Sequence, residues 1–220
     1  MIAIIDYGMG NIHSVQKALE SLGAKVIVTH KPNEIKRCEK VVLPGVGAFD
    51  DAMMELEKQD LIVVLKEHAK NKKIFLGICL GMQLLFETSQ EAIKEKGLGI
   101  LKGRVVRFSD KKAIKVPHIG WNQLNLVTGS PGSAEGGPAC GGHQVTSECP
   151  LLAGIEDGAY VYFCHSYYPE PKDKDIVAAT CDYGIDFAAV IWQDNIYGAQ
   201  FHPEKSQEVG LKILRNFVQM

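Results

Sequence analysis

A chain of 220 residues, 46% apolar and with a formal charge of -2, is long enough to bury a substantial core, and it has no global positive field to gather nucleic acid or an anionic membrane surface. The apolar start at Ile2 to Ile5 stops at Asp6 with no basic stretch before it, too short for a signal peptide or a membrane span. Cysteines at 38, 79, 140, 149, 164 and 181 form no C-x-x-C pair and no zinc-ligand spacing, so a reduced cytosolic chain without metal or disulfide framework is expected.

In chain order, Ile2 to Ile5 reads as a buried strand, and Ile12, Val15, Leu19 and Leu22 recur at helical spacing until Gly23 stops them. Strands are expected at Lys25 to Thr29 and Val41 to Leu43, the second followed by the turn Pro44-Gly45-Val46-Gly47. Asp60 to Lys70 predicts a helix and Ile74 to Leu76 a strand. That strand enters Gly77-Ile78-Cys79-Leu80-Gly81 and a helical stretch to about Ser89. Shorter strands follow at Arg104 to Phe108, Tyr160 to Cys164, Ile176 to Cys181, Phe187 to Trp192 and Ile196 to Phe201, with Asp194-Asn195 turning the last hairpin. Val209 to Val218 closes the chain as a helix. The pattern predicts an α/β fold: a doubly wound, mostly parallel sheet flanked by helices, with additional antiparallel strands in the C-terminal half, in one domain over residues 1–220. Thr128 to Cys149 stands apart, with six glycines and two prolines in 22 residues, and reads as a glycine-rich surface insertion whose Cys140, His143 and Cys149 fit no standard metal spacing.

Gly77-Ile78-Cys79-Leu80-Gly81 is G-x-C-x-G between a strand and a helix, the context in which a sharp turn presents a nucleophile above the sheet edge. The following helix N-terminus favours thiolate at Cys79. A lone buried cysteine is ordinarily just a small apolar residue, and the other five lack this setting. Gln200-Phe201-His202-Pro203-Glu204 follows a strand; if extended, alternation puts His202 and Glu204 on one side, an imidazole with a carboxylate to orient it. Taken alone, His-Pro-Glu is an ordinary exposed turn. His165 is the competing base and is ranked as a wall residue; His13, His30, His68 and His118 have no singled-out carboxylate. The Pro44 to Gly47 turn would bring backbone amides to the same sheet edge and, with the amide of Leu80, supply two donors for an oxyanion. Asp6-Tyr7-Gly8-Met9-Gly10-Asn11 lacks the third glycine of a dinucleotide loop, having His13 there, so no cofactor is expected. Lys102 to Lys115, with six basic residues against one acid, reads as a solvated face, with docking of an acidic partner surface as the alternative.

The Gly77 to Gly81 elbow, Phe201-His202-Pro203-Glu204-Lys205-Ser206 and the Pro44 to Gly47 turn, in this order, resemble class I glutamine amidotransferases, a flavodoxin-like family. Asp6 to Asn11, Pro117-His118-Ile119-Gly120-Trp121-Asn122 and His165-Ser166-Tyr167-Tyr168 narrow the resemblance to glutaminase subunits of imidazole glycerol phosphate synthases in histidine biosynthesis. The resemblance implies Cys79 as nucleophile, His202 as general base and acid, Glu204 as its orienter, Gly45, Val46, Gly47 and Leu80 as oxyanion donors, and Gln83, Ser166 and Tyr167 around the substrate glutamine. It also implies a heterodimer with a (β/α)₈-barrel cyclase subunit that takes up the ammonia, with Asn11 and Trp121 toward that partner. The glycine-rich stretch departs from the family pattern, which runs directly to Pro150-Leu151-Leu152. Two other readings stay open: a glutaminase subunit of another class I amidotransferase, and a noncatalytic regulatory subunit with the same fold.

Overall fold

A computed structural model describes residues 1–109, 114–127 and 149–220. The N-terminal half alternates strands and helices: β1 (Ile2–Ile5), α1 (Ile12–Ser21), β2 (Val26–Thr29), α2 (Pro32–Arg37), β3 (Lys40–Gly45), α3 (Phe49–Lys58), α4 (Leu61–Lys70), β4 (Ile74–Cys79) and α5 (Leu80–Gln83). Then follow β5 (Thr88–Ser89), β6 (Gly103–Arg107), β7 (His118–Gln123), β8 (Asn125–Leu126), β9 (Tyr160–His165), β10 (Tyr167–Pro171), β11 (Val177–Asp182), β12 (Asp186–Gln193), β13 (Ile196–Ala199) and α6 (Gln207–Gln219).

The main sheet runs β2-β1-β3-β4-β13-β12-β11-β8. From β2 to β13 every pairing is parallel, and from β12 outward every pairing is antiparallel. Alternation in β1 shows why the interior strands are apolar throughout. Ile2 and Ile4 point into one core with Val15 and Leu19 of α1 and Ile213 and Phe217 of α6. Ala3 and Ile5 point into the other, with Ile35 of α2, Phe49 and Leu56 of α3 and Leu65 of α4. A smaller sheet orders β10-β6-β5, and β7 pairs with β9 as an antiparallel ribbon.

Several expectations shift. The helix expected after the elbow lasts one turn, Leu80–Gln83. Leu84, Leu85 and Phe86 are all fully buried, so there is no wet face for a longer surface helix, and the amides of Leu85 and Phe86 tighten to i,i+3 bonds before Glu87 joins Gly103. Two helices beyond those expected, α2 and α3, complete the layer over one face. The strand expected to reach Phe201 ends at Ala199, while the hairpin turn stands where expected, with Asp194 at φ 53°. Most of the glycine-rich stretch lies outside the described residues, as do Cys140, His143 and part of the basic run. Cys149, read as part of that surface stretch, is instead a core residue, its thiol taking backbone N–H bonds from Leu151 and Leu152 and pushed up to about 11 by burial. Among the described residues no helix is long and apolar enough to cross a membrane.

The elbow depends on glycine by contact. A Cβ at Gly81 would collide with the Leu43 carbonyl of the neighbouring strand, and one at Gly77 would sit 2.7 Å from the Gly81 carbonyl oxygen. Because the obstacle is backbone, side chains cannot yield. We expect Gly81→Ala to cost about 3 kcal/mol or more, a fall of roughly 10 °C in melting temperature for a chain of this size, read by calorimetry.

Candidate active site

Cys79 ends β4, and β3 sets Gly45 directly opposite it in the ladder. Its backbone is at φ 54°, ψ -112°, a conformation a non-glycine residue holds only where its surroundings enforce it. This is the elbow expected from the sequence. The helix behind it is one turn long, too short for a macrodipole, so the electrostatic help at the sulfur has to come from individual N–H groups rather than from a helix field.

Pairing of β13 with β4 places Ala199 beside Ile78, and the chain continues past β13 to His202 at the same edge. The extended geometry anticipated for His202 to Glu204 is not what forms. Pro203–Lys205 is a 3₁₀ turn with Pro203 at its first position, and this turn, not strand alternation, brings Glu204 Oε1 to 2.9 Å from His202 Nδ1. Three bonds hold His202 in place: its amide donates to Tyr162 O (2.9 Å), Ser206 Oγ donates to His202 O (2.7 Å), and the Tyr162 amide donates to Ser206 Oγ (3.0 Å).

Side chains of His202 and Glu204 are 4% and 1% exposed. Burial alone pulls an imidazole toward neutrality, but hydrogen bonds and charge interactions with Cys79 and Glu204 overcome it and raise His202 to about 10. At neutral pH it therefore carries its proton. Nδ1–H points at the carboxylate, which leaves Nε2 for the sulfur. The second carboxylate oxygen, Glu204 Oε2, is buried and has no hydrogen-bond partner among the described residues.

These groups border a cavity of about 310 Å³. Its lining includes Cys79, Leu80, Gln83 and His202, together with His165, Ser166, Tyr167, Val46 and Gly47. Gly45, expected among the donors, lies in the ladder instead and does not reach the wall. Its place is steric, since a Cβ there would meet Tyr7 Oη at 2.6 Å, the hydroxyl that donates to Pro44 O at 2.9 Å. Gly47 adopts φ 103°, which glycine alone accepts without strain. Gln83 is buried and spends both amide hydrogens within the protein, on Tyr167 O (2.8 Å) and Gln200 Oε1 (3.1 Å), so toward a ligand it has only its oxygen.

His165 is a wall residue, as expected. Nδ1–H donates to Tyr167 O (2.8 Å), Nε2 accepts from His118 Nδ1 (3.2 Å), and burial pushes it down to about 3, so it stays neutral. Asn11 is half-buried just ahead of α1 and makes no side-chain cap; Trp121 is 45% exposed on β7. Sequence reading missed three residues here. Glu91 and Lys205 bring an acidic and a basic side chain to the cavity lining, and Gln200, fully buried, touches Cys79 Sγ at 3.8 Å. Lys205 lay within a stretch already quoted, but Glu91 sits in a loop with no periodic signal.

The family model for class I glutamine amidotransferases matches residues 3–220. Over its whole length the chain is 47% identical to an imidazole glycerol phosphate synthase subunit HisH of Geobacter sulfurreducens, covering 98% of that protein. Over 99% of its length it is 49% identical to the subunit of that name from Desulfitobacterium hafniense, covering 93% of it. A crystal structure of a glutamine amidotransferase superposes with a TM-score of 0.71 at 14% identity, over 99% of this chain and 98% of that one, a likeness of fold.

A histidine held above its unfolded value of about 6.5 contributes stability that is complete below that pH and is lost as pH rises toward 10. Glu204→Gln removes the charge that supports it. Urea unfolding should show the variant less stable by about 2 kcal/mol near pH 6, with the gap closing steadily toward pH 10.

Proposed function

The chain belongs to the class I glutamine amidotransferases, and from that premise we propose that it hydrolyses glutamine at Cys79 and delivers the ammonia to a cyclase subunit that makes imidazole glycerol phosphate in histidine biosynthesis. The observation that carries this reading is the joint placement of Cys79 and a protonated, carboxylate-held His202 on one cavity sized for an amino acid. Glutamine is a zwitterion, and Glu91 and Lys205 on the cavity wall suit its ammonium and carboxylate.

In the reaction, the Cys79 sulfur forms a bond to the side-chain carbonyl carbon, and the carbonyl oxygen takes the negative charge, facing backbone N–H groups of the Val46-Gly47 turn and Leu80. The carbon–nitrogen bond then breaks and the leaving nitrogen takes the proton from His202, releasing ammonia and leaving a glutamyl thioester. Water attacks next, giving its proton to His202; the carbon–sulfur bond breaks and glutamate departs. Glu204 keeps the imidazole in the tautomer that serves both steps. Ser166 and Tyr167 flank the substrate.

Support for a docked partner comes from the β7–β9 ribbon. Ile119 (58%), Trp121 (45%) and Tyr160 (55%) are exposed on one face, and Cys164, on that same face, also lines the cavity. Large exposed apolar side chains grouped beside a site suit a protein surface, and the partner is a (β/α)₈-barrel cyclase in a cytoplasmic heterodimer, with Asn11 and Trp121 at the contact. The barrel receives ammonia directly from this cavity.

Ammonia release from glutamine, measured with and without a histidine-pathway cyclase, tests the proposal. Addition of the cyclase should raise the rate well above that of the chain alone, and Cys79→Ala should lower it by about four orders of magnitude. Equal rates with and without the cyclase would sink the partnership, and near-normal turnover by Cys79→Ala would sink the nucleophile.

A further inference from the structure

Gln200 lies just past β13, with no exposed surface, its amide N–H donating to Ala189 O at 2.9 Å. A buried primary amide is costly unless its side-chain oxygen and nitrogen are both occupied. Both are. Gln200 Oε1 is 3.1 Å from Gln83 Nε2, and Gln200 Nε2 is 3.8 Å from Cys79 Sγ.

The direction of this chain of bonds is set by one group that cannot reverse. The Tyr167 carbonyl can only accept, so the Gln83 atom 2.8 Å from it must be nitrogen. That nitrogen's second hydrogen meets Gln200, so Gln200 turns its oxygen toward Gln83 and its own N–H toward the sulfur. On another side of the sulfur stands the Cys164 carbonyl, also at 3.8 Å. The two neighbours suit different states. A thiol can donate to the carbonyl, whereas a thiolate is repelled by it and accepts from the amide. Once His202 holds the sulfur's proton, Gln200 is a neutral side-chain donor beside it.

We propose that Gln200 is a positioning residue for the nucleophile, its side-chain N–H, aimed by Tyr167 O through Gln83, holding the charged sulfur of Cys79 in place against the Cys164 carbonyl. This rests on Cys79 being the nucleophile. An amide serves where a lysine would not: it adds a donor without a second titrating cation beside His202, and its two ends meet Gln83 on α5 and Cys79 at the end of β4.

Gln200→Glu keeps the shape and still accepts from Gln83 but loses the donor; Gln200→Met loses the donor without adding charge. Both are compared with the unaltered chain, each bound to the cyclase. We expect kcat for glutamine hydrolysis to fall about 10- to 100-fold in each, with KM within about twofold, the loss of one hydrogen bond to a charged group. Alkylation of the Cys79 peptide by iodoacetamide, followed by mass spectrometry across pH, should shift to higher pH by about one unit in both, more in Gln200→Glu. A fall in kcat with the alkylation profile unmoved would overturn the proposal, because a packing defect does that much. Unchanged kcat and profile in both variants, with Cys79→Ala inactive, would overturn it and leave the nucleophile standing; an active Cys79→Ala would remove the premise instead.

Discussion

Everything at the site depends on the parallel pairing of β4 with β13. Cys79 and His202 are 123 positions apart, and no local preference brings them together. The ladder does so by setting Ala199 beside Ile78, after which each chain needs only a short run to reach the same edge. Gly198 shows how tight that junction is, since a Cβ there would press on Met82 and Ile191 side chains. Chemistry at an edge of this kind inherits the rigidity of a strand buried on both faces. The same pairing lets α6 pack on the turn that carries Glu204, where Gly210 gives Pro203 O the room it needs.

Electrostatically, the cavity separates its imidazoles by what each can bond to. His202 has a carboxylate on one nitrogen and a sulfur on the other, so burial strengthens its charge interactions and it keeps its proton. His165 and His118 bond to each other, His165 also to the Tyr167 carbonyl, and the same burial drives them to about 3 and about 4. Their tautomers follow from the Tyr167 carbonyl, which must receive N–H from His165. Of these three histidines only His202 is therefore a cation over the middle of the pH range, because the surroundings differ in kind rather than in degree of exposure.

Much of this was legible in the residues. Strand cores, the glycine-flanked elbow and the hairpin at Asp194 announce themselves through short-range sterics, which act within a few residues. The His202–Glu204 pair was legible for an incorrect reason. Spacing of two suggested an extended strand, but Pro203 opens a 3₁₀ turn, and a turn also brings residues two apart together. Helix α3 carries Phe49, Ala52, Met53 and Leu56 at helical spacing with Asp50 and Asp51 in its first turn, a signal masked by the glycine turn just before it. Gln200 and Glu91 could not be singled out at all. Their meaning comes from neighbours far along the chain: Gln83 and Cys79 for the first, Phe49 for the second, whose amide donates to Glu91 at 3.0 Å.

The ribbon formed by β7 and β9 has two faces with opposite fates. One turns His118, Phe163 and His165 into the aromatic packing beneath the cavity; the other leaves Ile119, Trp121 and Tyr160 in water. Since the ribbon is a single layer two strands wide, a body resting on its wet side stands over the rim at Cys164. A small uncharged product formed below would then meet a roof of protein in place of bulk solvent, and its escape route would be drawn by whichever surface happens to be seated above.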